Sequence, residues 1–228
     1  MGKNQFSFAI LLTVITVGFL AYWFLVESKK IKDFLNNKFK DDKATLIWFI
    51  ANKSLGFLIF GIIVPIVALT LYPTLSLKDL AFQFPVNTKG LFIFIVATIL
   101  ALLVGIIKNK RGKIEDRYPE VGLNNSLVVD FVFWALYLLS YEFMFRGVLL
   151  FIAIGEVGLS TAIGINIAIY ALAHVPKGTQ EAFGALLLGL LLCLLTYNSS
   201  SILYAWIIHL ALAISNDFSA SYYKKRIK

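Results

Sequence analysis

The chain has 228 residues, a formal net charge of +8, 59% hydrophobic residues and 15% charged ones. A soluble domain is charged at about a quarter of its positions, so this composition excludes an ordinary soluble fold. The basic excess does not read as a nucleic-acid surface, because the lysines and arginines cluster beside long apolar runs, where positive charge sets membrane topology and meets anionic lipid.

Runs of roughly 18 or more apolar residues read as membrane-crossing helices. The first is Phe6 to Val26, with no charged residue inside it. It is longer than the roughly 7–15-residue core of a secretory signal, and Glu27-Ser28-Lys29-Lys30 follows in place of a small-residue cleavage site, so it is expected to be a retained anchor. Lys30 to Lys43 mixes Ile31, Phe34, Leu35 and Phe39 with lysines. That pattern suits either an amphipathic helix on the inner membrane surface or a solvated linker. The next runs are Leu55–Tyr72 and Leu91–Ile107, with Lys53 expected to snorkel at the start of the former. Pro119 marks a turn before Leu127–Tyr141, which continues past Glu142 to Ile154. Leu159–Ala173, Ala182–Tyr197 and Ile202–Ile214 complete the set. Gly164 and Ala168 form a small-residue face suited to close helix packing. The reading is an all-α, polytopic transmembrane bundle of about seven spans.

The connecting segments alternate in charge. Those after spans one, three and five, with the tail, hold sixteen Lys and Arg, against three in the opposite set (Lys3, Lys78, Lys89). The positive-inside rule then sets the N-terminus outside and the C-terminus in the cytoplasm. The single cysteine, Cys193, lies in an apolar run and reads as a small core residue.

Ionisable groups within lipid cost about 2.5–3.5 kcal/mol each even on the lower insertion scales. Four stand in or at the edge of the later spans: Glu142, Arg146, His174 and His209. Glu142 and Arg146 are one helical turn apart and can pair, which is either a structural lock between helices or a carboxylate held near a polar cavity. Each histidine taken alone is a packing group; two histidines and a glutamate together can activate water or bind a divalent metal such as zinc. The span limits set His174 nearer the cytoplasmic edge than Glu142 or His209. Neither a His-Glu-x-x-His zinc motif nor a Gly-x-Ser-x-Gly elbow nor a phosphate-binding glycine loop is present.

Ser140-Tyr141-Glu142-Phe143-Met144-Phe145-Arg146-Gly147 resembles the Glu-Glu-x-x-x-Arg motif of the CAAX-protease and bacteriocin-processing family. Tyr170 to His174 resembles that family's aromatic-x-x-x-His motif, and His209 the histidine of its third motif. The resemblance runs from about Arg117 to Asp217, so 1–116 is expected to be an anchor region, 117–217 the protease core and 218–228 a basic tail. It implies an intramembrane endopeptidase of the bacterial plasma membrane, acting on a membrane-associated peptide or protein, with no nucleic-acid partner. Family members are usually described as metalloproteases, and some bacterial relatives are linked to bacteriocin self-immunity. The implied catalytic set is Glu142, His174 and His209, the same three being the possible metal ligands. Arg146, Tyr141, Asn216 and Asp217 would support them. Two positions depart from the pattern: the first glutamate is Tyr141, and Ala213 stands where the third motif has Asn or Asp. Asn216, seven residues beyond His209, returns to the same helix face about 10.5 Å further along. A family member that binds a membrane peptide without cutting it, as an immunity or scaffold protein, is the alternative. A small proton-coupled transporter is a further one, against which no repeated halves are visible.

Overall fold

A computed structural model describes residues 3–110, 118–121 and 126–227. All regular structure among them is helical. Arg111, Lys113, Arg117 and Lys228, counted above for topology, and the boundary expected at 116/117 lie outside the described residues.

Helix α1 is Lys3–Val26, and α2, Lys29–Lys38, follows at once. Its lysines share the helix with Ile31, Phe34 and Leu35, so of the two readings of this segment the amphipathic helix is the one adopted. The second span is longer than its apolar run. Helix α3, Asp41–Leu58, continues through a π-helical turn, Ile59–Ile63, into α4, Val64–Leu71. Pro65 explains the wide turn: its ring would crowd the carbonyl four residues back, and a π-turn relieves that clash without breaking the rod. Because the helix begins at Asp41, Lys53 lies well inside it. It is 5% exposed, its ammonium 2.7 Å from Glu120 and 3.3 Å from the centre of the Trp134 ring. A lysine buried in this way needs both a carboxylate and ring faces to replace lost hydration.

Helix α5 is Leu91–Lys110. The following rod is α6, Leu127–Glu142, a second π-turn, Phe143–Leu149, and α7, Leu150–Val157. Ser126 caps it, its hydroxyl accepting from the Val128 amide. One residue, Gly158, joins α7 to α8, Leu159–Leu172. So tight a reversal requires its φ of 79°, which glycine adopts without a Cβ penalty. A short 3-10 turn, Val175–Lys177, leads to α9, Thr179–Ser199, and the chain ends in α10, Leu203–Ile227.

Six of these rods are long and apolar enough to cross a membrane. Helix α10 has the length too, but its second half carries Ser215, Asn216, Asp217 and Ser219. Most of those polar groups are met by protein, not lipid. The Asn109 amide on α5 donates to Asn216 O at 2.9 Å and Ser219 Oγ at 2.7 Å, and Ser215 Oγ donates to Ala101 O at 3.2 Å. The crossing is close because a Cβ on Gly105 would collide with Ser215. The molecule is therefore an all-α, multi-pass integral membrane bundle. The expected small-residue face of α8 is not used for packing: Gly164 and Ala168 are both exposed, and a Cβ on Gly164 would meet open space.

The α6–α7 rod is the centre of the bundle. Helices α3, α4, α8 and α10 pack around it, while α5 lies outside α10. At one end the 72–90 segment folds under the α9–α10 turn, with the Val86 amide donating to Ser199 O and the Ile202 amide to Ala81 O, both at 3.0 Å.

Candidate active site

The π-turn opens directly after Glu142, and all seven of its residues are buried. A π-turn displaces carbonyls from the regular ladder, and such turns recur at functional sites. Here the Asn166 amide on α8 donates to Phe145 O at 2.6 Å, and the Cys193 thiol on α9 donates to Asn166 Oδ1 at 3.2 Å. Three helices are thereby pinned at the turn that carries Arg146. Cys193 is buried, as expected of a core residue.

Glu142 and Arg146 are both 0% exposed, with a guanidinium nitrogen 3.3 Å from Glu142 Oε2. The other carboxylate oxygen, Oε1, lies 2.6 Å from His209 Nδ1. Arg146 also stacks on Tyr170, its guanidinium carbon 4.0 Å from the ring centre. One carboxylate on α6 is thus shared between a cation of the π-turn and an imidazole of α10. This fixes the His209 tautomer: a carboxylate only accepts, so Nδ1 carries the proton and the neutral ring keeps its lone pair on Nε2.

His174 follows the end of α8. Its Nδ1 is 2.7 Å from Tyr170 O, another acceptor, so Nε2 is again the free nitrogen. His174 and His209 line one cavity of about 700 Å³. The Tyr141 ring neighbours both, its centre 6.5 Å from His174 and 5.8 Å from His209, each imidazole meeting it edge to face. The difference in depth anticipated from the span limits does not separate the two histidines.

Tyr141 lines the cavity; Glu142, next to it, has no exposed surface and does not. Neighbouring residues on a helix project about 100° apart, so the wall receives the phenol and the carboxylate stands behind His209. Asn216 also lines the cavity, its Nδ2 donating to Leu212 O at 3.1 Å and its buried Oδ1 left without a donor. Asp217 turns the other way, accepting from the Glu120 amide at 2.7 Å and from Trp134 Nε1 at 3.0 Å. Of the two residues considered near the third motif, the cavity contains Asn216.

The donor set does not fit a metal centre built from Glu142, His174 and His209. Both Glu142 oxygens are committed, to His209 and to Arg146. Two imidazole nitrogens remain, short of the three protein ligands of a catalytic zinc site, and among the described residues no three His, Cys, Asp or Glu side chains converge to hold an ion.

Sequence reasoning passes over two groups. Asp130, 1% exposed on α6 beside Asp217, is a further buried ionisable group, signalled by a lone carboxylate inside the apolar stretch Leu127–Tyr141. Asn166 is signalled in the same way, as the amide within Leu159–Ala173.

No curated protein and no solved structure matches the chain. Residues 124–215 do match a family model, and at the level of that family the match supports an intramembrane CAAX-type endopeptidase. The matched family is type II CAAX prenyl endopeptidase Rce1-like, the one that the motifs around Glu142, Arg146, His174 and His209 resemble, and the matched segment contains all four residues.

Proposed function

We propose that this protein hydrolyses a peptide bond of a membrane-associated peptide, using imidazole-activated water. The observation that carries this reading is the pair of histidines on one cavity, each with Nδ1 engaged by a fixed acceptor and Nε2 left as a base. His209 Nε2 takes a proton from water as the water oxygen bonds to the scissile carbonyl carbon. The imidazolium returns that proton to the amide nitrogen as the C–N bond breaks. Glu142 keeps His209 in the required tautomer and offsets its positive charge, the role of the buried acid in a Ser-His-Asp triad. Arg146 holds Glu142. His174 orients the water or the carbonyl, and the Tyr141 hydroxyl and the Asn216 amide are the wall groups able to donate to the oxyanion.

Tyr141 stands where the family pattern has its first glutamate, and a phenol is a poor base at neutral pH. The base therefore falls to an imidazole. Asp217 acts at a distance by holding Trp134. The substrate chain enters between α5 and α9, where Leu100, Val104 and Leu187 line the cavity and also face outward.

The charge alternation supports an N-terminus outside and a C-terminus in the cytoplasm of a bacterial plasma membrane, with 117–217 as the protease core. Reporter fusions at both ends test the orientation, and an external C-terminus defeats it.

A second reading, a membrane peptide-binding protein with an immunity or scaffold role, is favoured by one observation: Tyr141 removes a carboxylate from the cavity. The experiment is to incubate the protein in nanodiscs with membrane-anchored peptides and to read products by mass spectrometry, beside His209→Ala. Cleavage by the parent and none by the variant supports hydrolysis. Peptides that bind the parent and stay intact leave the second reading in its place.

A further inference from the structure

Hydrolysis consumes one water per bond, yet the cavity presenting His174 and His209 has a mainly apolar wall, with Lys108, Lys177, Gln180 and Glu181 confined to its margin, and opens between α5 and α9, toward lipid. A second cavity, of about 560 Å³, has a different character. Its mouth is formed by Glu27, Lys32 and Lys177, all exposed or half-buried polar groups at helix ends. Asn52, Lys53 and Glu120 line it further in.

The two cavities share a wall. The exposed Lys177 lines both, and so do Trp134, Tyr137 and Tyr141. These aromatic residues are three and four apart, one stripe of α6. A single layer of aromatic side chains therefore separates a polar chamber from the site of the two histidines, and Tyr141, which contacts both imidazoles, is part of that layer.

The chamber stands at the aqueous margin of the bundle. The 42–71 rod has 30 residues, a length of about 45 Å against a hydrocarbon core of about 30 Å. About ten residues at one end thus stand outside the hydrocarbon. The basic helix α2 joins the Asp42 end, which makes that the projecting end and sets Asn52 near the boundary.

We propose that this second cavity is the water port of the catalytic site, delivering the hydrolytic water past Tyr141 while the substrate occupies the apolar slot between α5 and α9. The inference rests on the hydrolytic reading above. It separates the routes of the two reactants: the apolar one arrives laterally from lipid, the polar one through the polar chamber, so a substrate filling the slot does not cut off its own water.

The test uses the full chain in nanodiscs carrying Asn52→Cys, with the parent, whose only cysteine is buried, as the unlabelled control. The probe is a trimethylammonium methanethiosulfonate, which does not enter hydrocarbon. Asn52→Cys is expected to react from the aqueous phase, while Leu187→Cys on the lipid face does not. Labelled Asn52→Cys is expected to lose at least about tenfold in kcat with KM unchanged, because the plug stops water and leaves the slot open. If Asn52→Cys does not accumulate as folded protein, Trp48→Cys on the wall of the same chamber gives the same reading. Failure to label, labelled protein with undiminished kcat, or a rise in KM at constant kcat each overturns the proposal. A parent that cleaves nothing defeats the hydrolytic reading instead, and the labelling arm still decides whether the chamber holds water.

Discussion

Two rods of this bundle have the same general appearance in sequence and opposite situations in space. Over its most apolar 18 residues helix α5 has a mean hydropathy of 2.8 and is 17% buried, whereas the α6–α7 rod has 1.6 and is 78% buried. The more apolar helix is the peripheral one. In a membrane this inversion is physical: lipid is as apolar as leucine, so an outer helix needs only to be greasy, while a central helix can carry polar groups because neighbours satisfy them. Asp130, Ser140, Glu142 and Arg146 all lie on the central rod, and each is at most 3% exposed. The buried polar side chain of α5, Asn109, is on the face turned to α10, where it bonds to Asn216 and Ser219.

The sharpest way to break this contrast is to unbalance the central rod. Arg146→Ala leaves Glu142 buried with His209 as its only ionisable partner, and losing half of a buried pair costs about 3–5 kcal/mol. A large drop in thermal stability in detergent is expected, partly recovered in the Glu142→Gln, Arg146→Ala double variant. A single variant as stable as the parent would show that the pair does not hold the rod.

Substitutions facing the cavity should separate chemistry from folding. His209→Ala is expected to abolish cleavage while lowering stability far less than Arg146→Ala. Glu142→Gln keeps the shape but loses the charge that fixes the imidazole, and by analogy with triad acids kcat should fall by about 10²–10⁴ with little change in KM. Undiminished turnover in His209→Ala would remove His209 from the mechanism, and in Glu142→Gln it would remove the carboxylate's part in it.

At the junction of the peripheral and central parts, Gly105→Val tests the α5–α10 crossing. Overpacking is expected to cost about 1–3 kcal/mol, read as a lower unfolding temperature, with Ser215 and Asn216 displaced. A neutral result would mean that α5 is a loosely held rim. The smallest effect is expected on the lipid side: Leu187→Ala, at a position 77% exposed, should change stability by no more than about 0.5 kcal/mol. A larger loss would place a protein partner against α9.

Several site residues are legible in one dimension because charge in an apolar run has few tolerable explanations. Glu142, Arg146, His174 and His209 announce themselves in that way, and the spacing of the first two supplies the pairing. Which helix face looks into the cavity is not legible, because adjacent residues differ by a rotation that composition does not encode. Tyr141 and Glu142 are neighbours in sequence, yet only the tyrosine lines the cavity. Asn216 and Asp217 divide likewise, one to the cavity and one to Trp134. The length of the second span is misread for a related reason: a helix continues past the end of its apolar run when protein partners receive its polar groups, as Glu120 and Trp134 receive Lys53.

The sequence by itself determined that the chain is an all-helical membrane protein with its chemistry in the later spans, since the bilayer leaves an apolar backbone no other way to satisfy its hydrogen bonds locally. It also determined the Glu142–Arg146 pair, which needs only one turn of helix. The tertiary structure alone decided that His209 is the carboxylate's second partner, that His174 comes to the same cavity from another span, and that a polar chamber lies behind Tyr141. Those are contacts between distant segments, set by how helices rotate and cross, and no local periodicity specifies them.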